Sequence, residues 1–113
     1  MTGTIDIADF MKVDIRAGTI VKVEDFPEAN KPALKLTIDF GEETGLKKTS
    51  AQITDLYSKQ DLQGRQVAAV VNFPPKQIGP FVSEVLTLGF QTEDKAITLI
   101  HPDHPVPNGT RLC

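Results

Sequence analysis

The chain has 113 residues, of which 40% are hydrophobic and 24% charged, with a formal net charge of −3. This length fits one domain, residues 1–113, with its own core, and the composition excludes a disordered chain. The opening "MTGTIDIADF" lacks a basic segment followed by an apolar run, so we expect no signal peptide and no membrane insertion. The single cysteine, Cys113, excludes a disulfide framework, and we expect a cytoplasmic protein.

The charge is unevenly distributed along the chain. Residues 44–83 hold five basic and two acidic side chains, a local net charge of +3, whereas the remainder carries −6. Because fields are screened beyond about 10 Å, a basic face on an acidic protein can still attract phosphates. The alternative is an ordinary solvated surface.

The N-terminal part predicts a short helix followed by a strand. Residues 5–12 are typical of a helix capped by Asp6, with inward-facing apolar side chains at Ile5, Phe10 and Met11. Residues 13–26 alternate between apolar and polar, which predicts a strand with inward positions at Val13, Ile15, Ala17, Val21 and Val23. Gly18 suggests a bend or bulge in that strand.

The rest of the chain predicts four further main strands and one helical connection. After a turn at 27–32, a second strand covers 33–41, and an "EETG" hairpin turn leads to a weaker, polar third strand at 46–53. A helical connection at 54–64 ends at Gly64. The fourth and fifth main strands are predicted at 65–71 and 84–90, followed by a last short strand at 96–102 and an ordered tail at 103–113. This order favours an all-β class, a five-stranded OB-fold barrel with short helices and N- and C-terminal extensions.

Catalytic and metal-binding patterns are weak. His101, Asp103 and His104 are three potential metal ligands in "HPDHP", but prolines flank them and no fourth ligand is evident. No serine lies in a nucleophile motif and no glycine-rich phosphate loop is present in the sequence. We therefore expect no enzyme activity, no metal and no cofactor. A small sugar- or nucleotide-processing enzyme remains the alternative from that class.

The proline-rich stretch between the fourth and fifth strands holds polar residues close to apolar ones. Its prolines stiffen the backbone, so Lys76 would be presented to a ligand at little entropic cost. Asn72 and Ser83 could bond each other or a ligand, or they could satisfy backbone groups of the loop. Glu84 could bridge to a lysine or read a base edge, or it could be an exposed acid at a strand end.

Several motifs together resemble the tRNA-binding domain family. They are "VDIRAG", the lysine-bearing "EANK" turn, and "VVNFPPK" followed by a Ser-Glu pair, and the resemblance covers nearly the whole chain. Two stretches, "KPALKLTIDFG" and "FPPKQIGPFVSEV", look most like a bacterial secretion-associated chaperone of that family. The resemblance implies an OB barrel that forms a homodimer, binds tRNA, and in the chaperone branch binds unfolded or export-destined polypeptides.

The family pattern also implies which residues bind. For tRNA the set is Lys31, Lys35, Lys47, Lys48, Asn72, Lys76, Ser83 and Glu84. The polypeptide set comes from the residues themselves. Phe73, Ile78, Phe81 and Val82 make the loop unusually apolar for a surface element, which predicts a peptide groove or a dimer contact.

Three departures from the family pattern weaken the phosphate-binding case. Val85 and Leu86 replace the usual Gly-Met, Lys47-Lys48 replaces Arg-Gln, and Gln77 replaces a basic residue. The alternative function is a plain tRNA-binding factor that acts in trans with a tRNA synthetase.

Overall fold

A computed structural model describes residues 3–113. Its main feature is a five-stranded antiparallel sheet, ordered β3-β2-β1-β4-β7, that curls into a nearly closed barrel. The predicted five-stranded OB-type barrel is thus confirmed. Among the described residues, no helix is long and apolar enough to cross a membrane. The elements are α1 (Ile7–Met11), β1 (Ile15–Asp25), β2 (Leu34–Asp39), α2 (Gly41–Thr44), β3 (Leu46–Ala51), α3 (Lys59–Leu62), β4 (Gln66–Val70), β5 (Lys76–Ile78), β6 (Phe81–Ser83), β7 (Leu86–Thr87), β8 (Gly89–Gln91) and β9 (Ile97–Leu99).

The barrel core follows the sequence patterns of β2 and β4. In β2 the alternation predicted from sequence is confirmed, because Leu34, Leu36 and Ile38 are buried and the residues between them are not. The apolar run Val67–Val70 of β4 is buried throughout, because its outer face is covered as well: Ala68 lines one cavity together with Val106 and Leu112 of the C-terminal tail. Side chains at alternate positions line the interior, as the two-residue period of a strand requires.

The bulge in β1 lies later than predicted. The register with β2 shifts between Ile20 and Lys22, not at Gly18. Val21 is the extra residue in this bulge and has no partner in β2. Ile20, just before it, is fully buried, whereas Val21, predicted to face inward, is 42% exposed. The placement of Val21 was therefore wrong.

The N-terminal helix α1 forms where it was predicted but buries none of its side chains. The Asp6 backbone N–H donates to the Asp9 carboxylate at 3.3 Å, which helps to start the helix. The expectation that Ile5 and Met11 face inward was wrong, because in the single chain their side chains are 71% and 42% exposed. The C-terminal tail is ordered along β1, where Ala17 N–H donates to Thr110 O at 2.9 Å.

The segment between β4 and β7 differs most from expectation. The predicted loop contains a β-hairpin, β5–β6, that turns at Gly79 with a φ of 56°. The single strand predicted at 84–90 is two short strands, because the chain leaves β4 after Thr87 and pairs with β9. The "EETG" turn includes the helical turn α2, and α3 is shorter than the predicted 54–64 connection, which ends at Gly64 with a φ of 83°.

Gly18 is required for close packing, which generates a stability prediction. A Cβ at this position would lie 2.6 Å from Cγ2 of Ile38 and 2.7 Å from Cδ1 of Phe40, and both side chains are buried. We expect Gly18→Ala to lower the free energy of unfolding in urea by about 1–3 kcal/mol. Gly3→Ala is the matched control, because an added Cβ there meets nothing within 4 Å. Equal stability of the two variants would contradict this packing.

Candidate nucleic-acid and peptide interface

The barrel closes between β3 and the segment that precedes β7. The Glu84 backbone N–H donates to Lys48 O at 2.7 Å, and the Lys48 N–H donates to Oε1 of Glu84 at 2.9 Å. The carboxylate therefore takes the place of a backbone carbonyl in an antiparallel pair. This bond to a backbone N–H was not among the roles predicted for Glu84, and contact of its carboxylate with a base stays a prediction.

A chain of hydroxyl groups continues this closure. Thr49 is 1% exposed, and its hydroxyl donates to Val85 O at 2.8 Å. Because that proton is used, Ser83 donates to Oγ1 of Thr49 at 3.0 Å and accepts from the Ser50 N–H at 3.4 Å. Ser83 thus ties the end of the β5–β6 hairpin to the barrel wall. Sequence reasoning missed Thr49, since nothing local distinguishes it from an outward-facing threonine.

Asn72 fixes the start of the segment that leads from β4 to the β5–β6 hairpin. Its Oδ1 accepts from the Asp14 N–H at 2.9 Å and its Nδ2 donates to Lys12 O at 2.8 Å. These contacts match the alternative in which the amide satisfies backbone groups, here those of the N-terminal extension. Asn72 and Ser83 bind different parts of the chain. A ligand contact for either residue stays a prediction.

The two adjacent lysines of β3 point to opposite faces. Lys48 is paired with Thr37 and lies on the outer face with Lys35, which pairs with Ser50. Lys47 pairs with the buried Ile38 and therefore points the other way. Only Lys48 of this pair can act together with Lys35 on one surface.

A groove of about 480 Å³ brings Lys31 and Lys76 together. Lys31 comes from the turn after β1 and Lys76 from β5, and Ser50 and Gln52 line the groove beside them. We call this the lysine groove, and Lys35 and Lys48 flank it on the outer face of β2 and β3. Within residues 3–113, these four lysines and Lys47 lie in no ion pair, whereas Lys12, Lys22 and Lys59 do.

Phe81 anchors the hairpin. Its ring centroid lies 5.3 Å from that of the buried Phe26, and the Lys35 ammonium lies 5.6 Å from the Phe26 ring and 5.9 Å from the Phe81 ring. The lysine charge is attracted to both ring faces. Among the other predicted peptide-binding residues, Phe73 is 50% and Val82 is 42% exposed, while Ile78 is half-buried. The exposed apolar surface is therefore carried by Phe73 and Val82.

The "VDIRAG" motif holds the terminal extensions. Arg16 Nε donates to Asp14 at 2.7 Å and its NH1 group donates to Gly109 O at 3.0 Å, while Arg111 donates to Met11 O. The hydrogen bond with Asp14 raises the pKa of Arg16 above its ordinary value. The sequence did not predict this structural role for Asp14 and Arg16.

The "HPDHP" stretch is exposed. His101 Nδ1 lies 2.9 Å from Pro102 O, and His104 Nε2 lies 3.4 Å from the Asp103 carboxylate. Over the described range 3–113, no group of three His, Cys, Asp or Glu side chains is placed to hold a metal ion.

The family described as "Putative tRNA binding domain" matches residues 15–111. The chain belongs to this family. Its fold also matches two crystal structures of the chaperone CsaA. The one from Bacillus anthracis has 47% identity and a TM-score of 0.92, over 98% of this chain and 100% of that one. The one from Picrophilus torridus has 51% identity and a TM-score of 0.91, over 97% of this chain and 100% of that one. The expected likeness to the secretion-associated chaperones is thus confirmed.

The chain is also similar to part of a longer protein and to a further structure of similar length. It is 32% identical over 108 residues to a methionine–tRNA ligase of Bacteroides fragilis, where the match covers 96% of this chain and 16% of the ligase. A MetRS-related protein from Pyrococcus horikoshii has 28% identity and a TM-score of 0.86, over 99% of this chain and 100% of that one.

The buried hydroxyl chain generates the second prediction. Thr49→Val keeps the side-chain shape but removes the 2.8 Å bond to Val85 O and the 3.0 Å bond with Ser83. Only the longer contacts of the Ser83 hydroxyl, with the Ser50 N–H at 3.4 Å and with Val85 O at 3.5 Å, then remain. We expect a loss of about 1–3 kcal/mol in the free energy of unfolding and faster amide exchange in the β5–β6 hairpin. Thr49→Ser retains the hydroxyl and should keep most of the stability. A valine variant as stable as the serine variant would show that the hydroxyl chain does not hold the seam.

Proposed function

We propose that this chain is a homodimeric, CsaA-like chaperone that binds unfolded or export-destined polypeptides and also binds tRNA through the lysine groove. The observation that carries the tRNA proposal is the lysine groove itself. Four lysines outside any described ion pair gather around it on a protein whose net charge is −3. Free ammonium groups at this spacing suit the phosphates of a nucleic-acid backbone.

Phosphate contacts explain both the placement and the expected weakness of tRNA binding. Lys31, from the turn after β1, and Lys76, from β5, both line the groove, so phosphates bound in it would meet two ammonium groups from different elements. The wider protein is acidic, so its overall field opposes polyanions. We expect micromolar-class affinity that falls steeply with salt and discriminates little between tRNAs.

Polypeptide binding is supported by an apolar cleft beside the lysine groove. Phe73, Pro74 and Leu86 line a space of about 240 Å³ with Lys76 at its side. Phe73 and Leu86 are 50% and 49% exposed, which is unusual for two neighbouring large apolar side chains. The likeness to two CsaA chaperones supports the same role.

A plain tRNA-binding factor is the second candidate, because the curated relatives are methionine–tRNA ligases of which this chain spans 16%. In that case the protein would serve a ligase in trans and would have no affinity for unfolded chains. The two candidates are separated by a paired titration with unfractionated tRNA and with reduced, carboxymethylated lactalbumin.

The third prediction concerns the groove lysines in that paired titration. The double change Lys31→Ala and Lys76→Ala should weaken tRNA binding and lower the slope of log K against log salt by about 1.4–1.8, because each phosphate contact contributes roughly 0.7–0.9. Binding of the unfolded lactalbumin should change much less, since it rests on apolar contacts.

The matched control removes two charges outside the groove, with Lys12→Ala and Lys95→Asn. Asparagine tolerates the positive φ of residue 95, which is 66°. This control should leave the salt slope unchanged. If the slope of log K against log salt falls as much in the control as in the groove variant, only net charge matters. That result would contradict the assignment of tRNA binding to the lysine groove.

Dimerisation is supported by apolar side chains on the terminal extensions. Ile5, Ile7, Met11 and Leu112 are 71%, 75%, 42% and 41% exposed. A five-residue helix without buried side chains gains little from its own chain. Closed twofold dimers are the commonest assembly, and a second copy seated here would bury this apolar face.

The fourth prediction tests that face. Ile7→Asp should shift sedimentation at micromolar concentration from a dimer to the mass of one chain, because a carboxylate would be buried in the interface. An aspartate in the first helical turn suits α1 itself, so the monomer should stay folded. Leu56→Asp, at a comparably exposed position before α3, should remain dimeric. Unaltered protein that sediments as a single chain would contradict the dimer.

A further inference from the structure

The seam between β3 and β7 is closed at one end only. The backbone groups of Lys48 bond Glu84, and the Ser50 N–H reaches Ser83 at 3.4 Å. Because alternate residues of a strand direct their backbone groups to the same edge, those of Gln52, just after β3, point toward β7 as well. Within residues 3–113 no hydrogen-bond partner is found for the Gln52 N–H or carbonyl.

The opposite edge of the seam is open in the same way. The Leu88 N–H bonds Ala68 O of β4 at 2.9 Å, so the backbone groups of Thr87 point away from β4 and toward β3. The Thr87 hydroxyl is also buried and has no partner among the described residues. Two strand edges therefore face each other with free donors and acceptors, an arrangement that usually invites a further strand.

A groove of about 410 Å³ lies between these edges. Both Gln52 and Thr87 line it, together with Ile53, Ile78, Leu86 and Ile97. Lys76 is the only charged residue in its lining, and it lies in no described ion pair. The groove thus offers main-chain hydrogen bonds along both walls, apolar contacts for side chains, and one positive charge.

We propose that an extended polypeptide segment binds in this groove by adding a β-strand to the open seam. This rests on the proposed polypeptide binding and names its substrate class, namely apolar segments that can adopt a strand and carry an acidic side chain beside Lys76. Main-chain bonds supply affinity without regard to sequence, which suits a protein that must accept many chains. A nucleic-acid strand would have to place phosphates against isoleucine and leucine side chains, so RNA suits this groove poorly.

The test uses a short synthetic probe with blocked ends, in which valine and threonine alternate around a central glutamate. Its twin carries N-methyl groups on alternate residues, which removes backbone donors but keeps every side chain. Fluorescence anisotropy with the unaltered protein should show at least about tenfold weaker binding of the twin, since two or more main-chain hydrogen bonds are lost. Equal affinity of parent and twin would overturn the proposal.

Two variants place the probe in the seam. Gln52→Pro removes the N–H that points into the groove, whereas Gln52→Ala shortens the side chain and keeps that N–H. Proline is tolerated at an outward-facing edge position, and circular dichroism reports whether the variant folds. We expect at least fivefold weaker probe binding for the proline variant and little change for the alanine variant. Equal effects of the two changes on probe binding would place the probe elsewhere.

Charge reversal tests the role of Lys76. Lys76→Glu should lower the affinity of the protein for the glutamate probe. It should raise the affinity for a probe in which lysine replaces that glutamate. If the reversed probe gains nothing, the proposed charge contact is wrong.

The remaining outcomes separate this proposal from the proposed function. In one outcome, lactalbumin binds normally to the proline variant and the N-methylated twin binds as well as its parent. This would support the chaperone function and contradict strand addition at the seam. If neither lactalbumin nor the probe binds to unaltered protein, both the proposed chaperone function and the proposed seam site are contradicted. If tRNA binding, but not probe binding, depends on the Gln52 N–H, the groove is an RNA site and the proposal is overturned.

Discussion

The closure of the barrel by Glu84 and Thr49 is the constraint on which the rest of the structure depends. A carboxylate and a threonine hydroxyl, together with the backbone bond from Glu84 N–H to Lys48 O, join β3 to the segment before β7. Side-chain closure of this kind is local, and it leaves the far part of the seam unpaired. It also fixes both the end of the β5–β6 hairpin, through Ser83, and the start of β7. Fold, groove and open edge thus follow from one small set of hydrogen bonds.

The position of the hairpin determines the electrostatics of the surface. Phe81 packs on Phe26 under the Lys35 ammonium, which holds the hairpin over the turn after β1. Lys76 and Lys31 then line the same groove. A chain with a net charge of −3 in this way presents a positive site, because the groove's lining within residues 3–113 includes these two lysines and no acidic residue. Apolar side chains beside the same hairpin supply the second kind of contact that the proposed function needs.

The sequence predicts the barrel, the inward face of β2 and the burial of β4 well, since these depend on local periodicity and on an OB topology with few alternatives. The prediction that Lys47 and Lys48 bind tRNA together did not consider that this periodicity puts them on opposite faces of β3. The bulge at Val21 could not be located, because register depends on the partner strand. Neither could the role of Glu84 or Thr49, whose partners lie more than thirty residues away. The exposure of Ile5 and Met11 also contradicts local pattern, and a second copy of the chain would explain it.

Amide chemical-shift mapping of the ¹⁵N-labelled protein tests the central claim most directly, because one titration series locates both ligands. With tRNA, we expect the largest shifts at Lys31, Lys35, Lys48 and Lys76 around the lysine groove. With the unfolded polypeptide, we expect them at Gln52 and Thr87 along the open seam, while the amides of Lys48 and Glu84 at its closed end stay protected from exchange. Shifts confined to α1 and the C-terminal tail, with the hairpin and seam unaffected by either ligand, would contradict the account.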